Sequence, residues 1–298
     1  MNKNNNNLIN NILCNSNDTI KLHYGGKQNK LPSKIHTDVK KRYVVKFNTK
    51  NIIKYKTRYI KISQNQLQIL DALLNNGGNK TYLDSKHKLR YSEHSGILDF
   101  DKTKLERIMI SGRTTREDED DVDILLPHDM KDVLDYEYIF HTHPPTPYVG
   151  ARAKQGILYE FPSISDLYHF SYHYNAGHIQ GSIIIAPEGI YIIRMKKDVK
   201  YIEYPSEETF DKLESLNLDI QRYAIKKYGD NFKNNEQLFY NSVCQDSKYI
   251  KLFNKIVKKH FNKNMQILFK PRTFDKNTNK WIIKNLYIKV APIEINYE

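Results

Sequence analysis

The sequence is short of the residues that build several common kinds of protein. It has two cysteines among 298 residues, Cys14 and Cys244, and no Cys-x-x-Cys pair. This scarcity excludes a disulfide-stapled fold and a zinc finger built on thiolates. No stretch approaches about 18 consecutive apolar residues, so the sequence contains no candidate membrane-spanning helix. What remains is a globular protein, long enough for one large domain or two ordinary domains with an apolar core.

A secretory signal is a further absence. The first residues, MNKNNNNLINN, are polar and contain no apolar core of the kind that a cleaved signal peptide needs. Together with the few cysteines, this predicts an intracellular protein, in the cytoplasm or, for a viral source, in the host cytoplasm or the virion.

The net charge of +13 is unevenly spread along the chain. Residues 1–80 hold 15 Lys and Arg against 3 Asp and Glu, and residues 201–298 hold 17 against 12. Residues 81–200 hold 15 against 19, and they contain a single asparagine, Asn175. The flanks are therefore basic and Asn-rich. The different composition of residues 81–200 indicates that their residues are selected for packing and for chemistry.

This division predicts three parts. Residues 1–40 form a disordered basic extension, residues 41–200 a domain, and residues 201–298 an extension of helices and a β-hairpin. The Asn, Lys, Ile and Tyr background is typical of AT-rich genomes, such as those of large DNA viruses or some protists.

Hydrophobic periodicity predicts an α+β fold, with a mixed sheet that carries helices on its faces. A helix opens at Ser63–Gln66, buries a face that includes Ile69, and ends at Gly77-Gly78. Further helices are predicted at 161–173, 206–227 and 249–261. Strands are predicted at 43–47, 59–62, 93–100, 105–110, 124–126, 136–141, 182–186, 190–194, 265–269 and 281–290. Of these, 182–186 and 190–194 are expected to form a hairpin, and the last two are expected to pair with each other.

The strongest chemical signal is His141-Thr142-His143-Pro144, which follows the apolar strand residues Tyr138–Phe140. Side chains two apart on a strand point the same way, so both imidazoles can converge on one metal ion. Several hydrolase folds share this pattern, and a pair of ordinary loop histidines is the alternative interpretation.

The second signal is Pro162-Ser163-Ile164-Ser165-Asp166. In one interpretation, Ser163 caps a helix and Asp166 bonds back to the cap, a pattern that needs no further function. In the other, both side chains lie on one face of the first helical turn, where Asp166 is a metal ligand and Ser163 a hydrogen-bond donor.

The third signal is Glu93, at the start of the strand Glu93-His94-Ser95-Gly96-Ile97-Leu98. Alone it is weak, because most glutamates lie on the surface. Beside a site of two histidines and an aspartate it has a role, since a catalytic zinc keeps three protein ligands and a water, whose proton a nearby carboxylate accepts.

The order Glu, His-x-His-Pro, Pro-Ser-x-x-Asp resembles that of the JAMM (JAB1/MPN/Mov34) metalloprotease family. The resemblance covers roughly residues 60–200, including the Glu-x-x-Gly-x-Leu opening strand and the hairpin at 182–194. It implies an α/β/α-like MPN core, similar to that of cytidine deaminases, with a partly curved mixed sheet. It also implies a hydrolase that cleaves peptide or isopeptide bonds of ubiquitin or a ubiquitin-like protein.

Carried over residue by residue, the resemblance implies that His141, His143 and Asp166 bind one Zn²⁺ per chain. It implies that Glu93 is the general acid and base, and that Ser163 helps to hold the water or the oxyanion.

The spacing departs from the family pattern, which places the serine much closer to the second histidine. Ser163 follows His143 by 20 residues. A longer surface loop costs little closure entropy, about 0.6 kcal/mol for each doubling, so the metal site can survive it. The extra residues border the predicted cleft, where Arg152 and Lys154 are candidate substrate contacts. The loop could act as a lid over the cleft, or it could be a surface loop without a role in function.

Other functions stay open at this point. The chain could be an MPN-type scaffold without activity, a RadC-like DNA-associated protein, or an unrelated His-x-His hydrolase, although the lack of repeated strand–helix units argues against a barrel. The basic segments 40–42 and 255–263 could bind nucleic acid, but a solvated Lys-rich background is the simpler explanation. The acidic run 117–123 is expected to be a solvated loop. His169 and His173 are either partners of the metal ligands or helix-surface residues.

Overall fold

The computed structural model describes residues 52–79, 81–83, 87, 89–110, 135–144, 160–177, 179–229 and 235–296. The predicted extension 1–40, the predicted strands at 43–47 and 124–126, and the acidic run 117–123 lie outside these residues.

Helices and strands alternate irregularly along the described residues. The helices are α1 (Gln64–Asn79), α2 (Ile164–Ala176), α3 (Glu207–Tyr228), the short α4 (Glu236–Leu238), which continues into a π-helical turn over Phe239–Val243, and α5 (Lys248–His260). The strands are β1 (Ile52–Lys54), β2 (Arg58–Ile62), β3 (Thr81–Leu83), β4 (Leu89–Tyr91), β5 (Ser95–Phe100), β6 (Leu105–Ile110), β7 (Tyr138–Thr142), β8 (Gly181–Ala186), β9 (Gly189–Met195), β10 (Met265–Pro271), β11 (Thr273–Asp275), β12 (Lys280–Ile282), β13 (Leu286–Val290) and β14 (Ile293–Ile295). None of these helices is long and apolar enough to cross a membrane.

A six-stranded sheet in the order β10-β9-β8-β7-β5-β6 forms the centre of the fold. β7 and β8 are parallel, and every other neighbouring pair in this sheet is antiparallel. The parallel pair needs a crossover connection, and α2 lies within it. The mixed sheet with helices is therefore confirmed, as is the hairpin of β8 and β9.

The two faces of this sheet bury different partners. On one face, Tyr138 and Phe140 of β7 join a core with α1 and the C-terminal strand β13. On the other face, Ile184 of β8 joins a core with α2, α3 and α5. His141 lies opposite Ile184 in the parallel ladder, so its side chain is on the α2 face.

The predicted pairing of the last two strands is wrong. β10 pairs with β9 and becomes an edge of the central sheet. The segment 281–290 divides between β12, which pairs with β11, and β13, which pairs with β2 near the other end of the chain. Alternation predicts a strand but does not specify its partner, and here burial against distant strands decides the pairing.

The predicted face and end of α1 also need correction. Leu67, Leu70 and Leu74 are buried, but Ile69 is 45% exposed, because at 3.6 residues per turn it points away from them. The helix also continues through Gly77-Gly78 to Asn79. A side chain at Gly77 would collide with the carbonyl oxygen of Ser92, so this glycine permits a close approach between α1 and the segment before β5.

Candidate metal centre

The two histidines of the His-x-His motif lie side by side at the end of β7. Both are buried, with exposed fractions of 2% for His141 and 5% for His143. Their Nε2 atoms are 3.0 Å apart. The period of two along the strand turns both rings to the α2 face, while Thr142 between them points to the opposite side.

The third side chain comes from the first turn of α2. Asp166 is 1% exposed, and its Oδ1 atom is 3.1 Å from Nε2 of His141. Its Oδ2 atom is 3.5 Å from Nε2 of His143. A turn of helix therefore places a carboxylate over the end of the neighbouring strand, where both imidazoles are.

The helix-capping interpretation of this motif is also confirmed. Ser163 is the N-cap of α2, its hydroxyl accepts a bond from the Asp166 backbone N–H, and Asp166 accepts one from the Ser163 N–H. The two interpretations are compatible, because Asp166 has two oxygens. Oδ2 is fixed by the cap, and Oδ1 lies 3.1 Å from Nε2 of His141.

The spacing of these three groups fits a metal ion. In a tetrahedral site with bonds of about 2.0–2.1 Å, neighbouring ligand atoms are about 3.3–3.4 Å apart. Here Nε2 of His141 is 3.0 Å from Nε2 of His143 and 3.1 Å from Oδ1 of Asp166, while the other oxygen of Asp166, Oδ2, is 3.5 Å from Nε2 of His143. The buried His141, His143 and Asp166 group could therefore hold a metal ion.

A backbone carbonyl orients His143 for this role. Nδ1 of His143 is 2.9 Å from the carbonyl oxygen of Glu160, which can only accept a hydrogen bond. The proton of the neutral ring is therefore on Nδ1, and the lone pair of Nε2 points into the site. Such outer partners fix the tautomer of a metal-binding histidine.

The charge state of Asp166 suits a metal ligand. Burial alone would raise its pKa, but the two imidazoles, through their charge and hydrogen bonds, outweigh burial and hold the pKa well below its usual range. The carboxylate is therefore ionised at neutral pH, which is the form that binds a cation.

The predicted general base, Glu93, comes two residues before β5, the strand that pairs with β7. β5 and β7 are antiparallel, with Ser95 opposite His141. Next to this pair, the Thr142 N–H donates to the His94 carbonyl and the His94 N–H donates to the Thr142 hydroxyl, each at 2.8 Å. Extended two residues past the N-terminal end of β5, the register would put half-buried Glu93 opposite His143. Residues directly opposite in an antiparallel pair point to the same face, so this register favours Glu93 beside the metal site.

A glycine explains how this strand approaches β7. A side chain at Gly96 would collide with the carbonyl of Met109 and with the ring of Phe140. The glycine of the Glu-x-x-Gly pattern therefore lets β5 pack closely against β6 and β7.

Ser163 lies against the metal group, 3.0 Å from Asp166 Oδ2 through its hydroxyl. Arg152 and Lys154, the predicted substrate contacts, lie outside the described residues, as does most of the long loop. The role of Ser163 toward a water or an oxyanion stays a prediction.

Sequence reasoning missed two groups that support the site. The Glu160 carbonyl has no sequence signature, since every residue has one. Thr142 connects β7 to the segment before β5 through its two hydrogen bonds with His94. Because it lies between two histidines that share a face, strand alternation indicates that its side chain is on the opposite face.

Comparison with known proteins gives a relative from a virus. The chain is 36% identical over 258 residues to the uncharacterized protein R413 of Acanthamoeba polyphaga mimivirus, a match that spans 82% of this chain and 69% of the viral protein. This chain belongs to the same family as the mimivirus protein. No family model matches the chain, and no solved structure does. This relative is viral, and a large DNA virus is one of the two sources that the composition of this chain predicts.

A second histidine pair lies farther along α2. His169 and His173 are each 4% exposed, and their Nε2 atoms are 2.8 Å apart. The helix-surface alternative is therefore wrong. The two rings are one turn apart on the face of α2 that also carries Asp166, so a polar row extends from the metal group into the interface between helix and sheet.

Burial of this pair predicts a loss of stability in mild acid. Burial lowers the pKa of His173 to about 3, whereas the unfolded chain has a histidine pKa near 6.5. The unfolded state therefore takes up the proton first, and the stabilisation present above pH about 6.5 is lost as the pH falls. Between pH 7.5 and pH 5.5 the free energy of unfolding of the parent should fall. We expect the fall to be about 1.4 kcal/mol smaller in His173→Gln. Urea denaturation of both chains at the two pH values measures this difference, and equal losses would contradict it.

Gly77 offers a test of the close contact between α1 and the segment before β5. Alanine in the interior of a helix usually stabilises by up to about 1 kcal/mol over glycine. Here the new Cβ would be 2.3 Å from the Ser92 carbonyl oxygen, so Gly77→Ala is expected to destabilise by roughly 1–3 kcal/mol. Gly177→Ala, where nothing lies within 4 Å, is the control and should change stability little. A stabilised Gly77→Ala in urea denaturation would show that this contact is not close.

Proposed function

We propose that this chain is a zinc-dependent metallopeptidase of the JAMM type, which hydrolyses peptide or isopeptide bonds of ubiquitin or a ubiquitin-like protein. The observation that carries the proposal is the buried group of His141, His143 and Asp166, preformed where β7 ends and α2 begins. The register that favours Glu93 beside His143 adds the general base.

The donor set favours zinc over other common metals. Two imidazole nitrogens and one carboxylate oxygen suit Zn²⁺, whereas Ca²⁺ and Mg²⁺ prefer oxygen ligands alone. Three protein ligands also leave one position for water, which is the arrangement of catalytic zinc sites, whereas structural sites have four.

The arrangement of β5, β7, α2, β8 and β9 supports an MPN-type core. Glu93 comes two residues before β5, His141 is on β7 with His143 just after it, and Asp166 is on α2, in the order that the resemblance leads us to expect. The hairpin of β8 and β9 continues the same sheet beyond the site. We propose that the remaining elements, including α5 and β10, are additions to this core.

Each residue has a defined task in this proposal. A Zn²⁺ ion held there would lower the pKa of a bound water to about 7 and would polarise the substrate carbonyl. His141, His143 and Asp166 hold the ion, and the Glu160 carbonyl keeps the His143 lone pair directed inward. The Ser163 hydroxyl fixes Asp166 and offers a polar group next to the reacting carbonyl.

Glu93 moves the proton. As the water oxygen bonds to the amide carbon, the Glu93 carboxylate accepts the proton that the water loses. When the carbon–nitrogen bond breaks, Glu93 donates that proton to the leaving amine, so the carboxylate is regenerated and the products are an acid and an amine.

Cleavage of di-ubiquitin by the full chain tests the proposal. We expect the zinc-loaded protein to cleave at least one di-ubiquitin linkage or a linear fusion of a ubiquitin-like protein, and a chelator to stop the reaction. Readdition of Zn²⁺ should restore it. A protein that holds one zinc per chain but cleaves none of these substrates would contradict the substrate class and point to another amide.

A further inference from the structure

The helix α5 presents a row of lysines to solvent. Its apolar residues Tyr249, Ile250, Phe253 and Val257 are buried, and Phe161, just before α2, packs on two of their rings at 4.7 and 5.1 Å. The exposed lysines occupy the opposite arc of about 100° at 3.6 residues per turn. They are Lys248, Lys251, Lys255, Lys258 and Lys259.

Little negative charge balances this row. Between Asp246 and Asp275 the chain has eight Lys or Arg residues and no Asp or Glu. Within the described residues, none of the five lysines forms an ion pair, and Asp246 is engaged by Lys227 at 2.9 Å. The row is therefore a concentrated positive surface on a rigid helix.

The dimensions of the row match a nucleic-acid backbone. Lys248 and Lys259 are separated by eleven residues, or about 16 Å along the helix axis. One strand of duplex DNA rises about 3.4 Å per phosphate, so the row spans roughly five phosphates. Lysine is a flexible point charge that suits phosphate without a fixed orientation.

Other partners fit this face less well. Lysine is depleted in protein–protein interfaces, which are anchored by aromatic residues and arginine. An amphipathic helix that inserts into a membrane needs a free apolar face, and that of α5 is buried in the protein. The arc also carries no aromatic ring for stacking on bases and no arginine for reading them.

We propose that the outer face of α5 binds the phosphate backbone of duplex nucleic acid without reading its sequence. This surface is independent of the proposed peptidase site, since its lysines point away from the side of α5 that packs on Phe161.

The salt dependence of DNA binding by the full chain tests this surface. Each phosphate contact contributes about 0.9 to the slope of log K against log salt concentration. We compare the parent with the triple variant Lys251→Gln, Lys255→Gln, Lys258→Gln, using a 20-base-pair duplex. The slope should fall by about 2 to 3, and affinity at low salt should fall more than tenfold, equally for two unrelated sequences.

A matched triple variant separates this row from the general basicity of the chain. Lys54→Gln, Lys56→Gln, Lys61→Gln removes the same charge from exposed positions on β1, β2 and the turn between them. It should change the slope by less than 1. Equal effects of the two variants, or no effect of the α5 variant, would overturn the proposal. So would an α5 variant that loses binding to phosphatidylserine vesicles or to an acidic protein but not to DNA.

Discussion

Replacing His141 or His143 by alanine is expected to abolish metal binding at the proposed site. The two Nε2 atoms are 3.0 Å apart in a buried site, and with Asp166 they form the group of three candidate ligands found among the described residues. Loss of an outer partner of a ligand typically lowers metal affinity 10–100-fold, so loss of a ligand should lower it by more than about 100-fold. Metal analysis after dialysis against a weak chelator should show about one zinc per parent chain and almost none per variant.

Stability provides a second readout of the same change. An ion that binds only the folded state raises the free energy of unfolding with its concentration. Zinc should therefore raise the melting temperature of the parent but not that of His141→Ala. His87→Asn is the control, because His87 is exposed, and asparagine accepts its positive φ of 54°. A variant that kept the parent's zinc content would contradict the role of His141.

Replacing Glu93 by glutamine will separate metal binding from turnover. Glutamine keeps the size of the side chain but cannot accept a proton, so the zinc content should match that of the parent. The rate of amide hydrolysis should fall by about 10²–10⁴-fold, the usual contribution of a general base. Initial rates on whichever substrate the parent cleaves give this ratio.

A glutamate elsewhere on the sheet provides the control for this change. Glu106 is exposed on β6, next to β5, and Glu106→Gln should leave both zinc content and rate unchanged. A Glu93→Gln protein with the parent's rate would remove Glu93 from the mechanism. A Glu93→Gln protein that lost its zinc would instead make Glu93 a ligand.

The elements around the site were predictable because each has a strong local signal. β7 is an apolar run before the paired histidines, α2 begins with a Ser-x-x-Asp cap, and the β8–β9 hairpin turns at Pro187-Glu188-Gly189. Periodicity and capping act over a few residues, so the sequence displays them directly.

Long-range choices were not predictable from the same patterns. The strand at 286–290 pairs with β2, more than 220 residues earlier, and nothing in its alternation specifies that partner. Ile69 was wrongly assigned to the buried face of α1, because an apolar residue type does not by itself show which side of the helix the residue lies on. The burial of His169 and His173 depends on how α2 lies on the sheet, which a helix pattern alone does not show.

The metal group was predictable in its membership but not in its geometry. Residue types and order identified His141, His143 and Asp166, whereas the distances between them depend on the crossover from β7 through α2 to β8. The contact between the Glu160 carbonyl and His143 depends on the tertiary structure, so no sequence pattern predicts it.

X-ray absorption at the zinc edge of the full chain tests the central claim most directly. We expect the parent to hold one zinc with two imidazole nitrogens and a carboxylate oxygen at about 2.0–2.2 Å. In His143→Ala, the spectrum should lose one imidazole contribution, or the ion itself should be lost. A parent chain that binds no zinc, or a spectrum unchanged in His143→Ala, would contradict it.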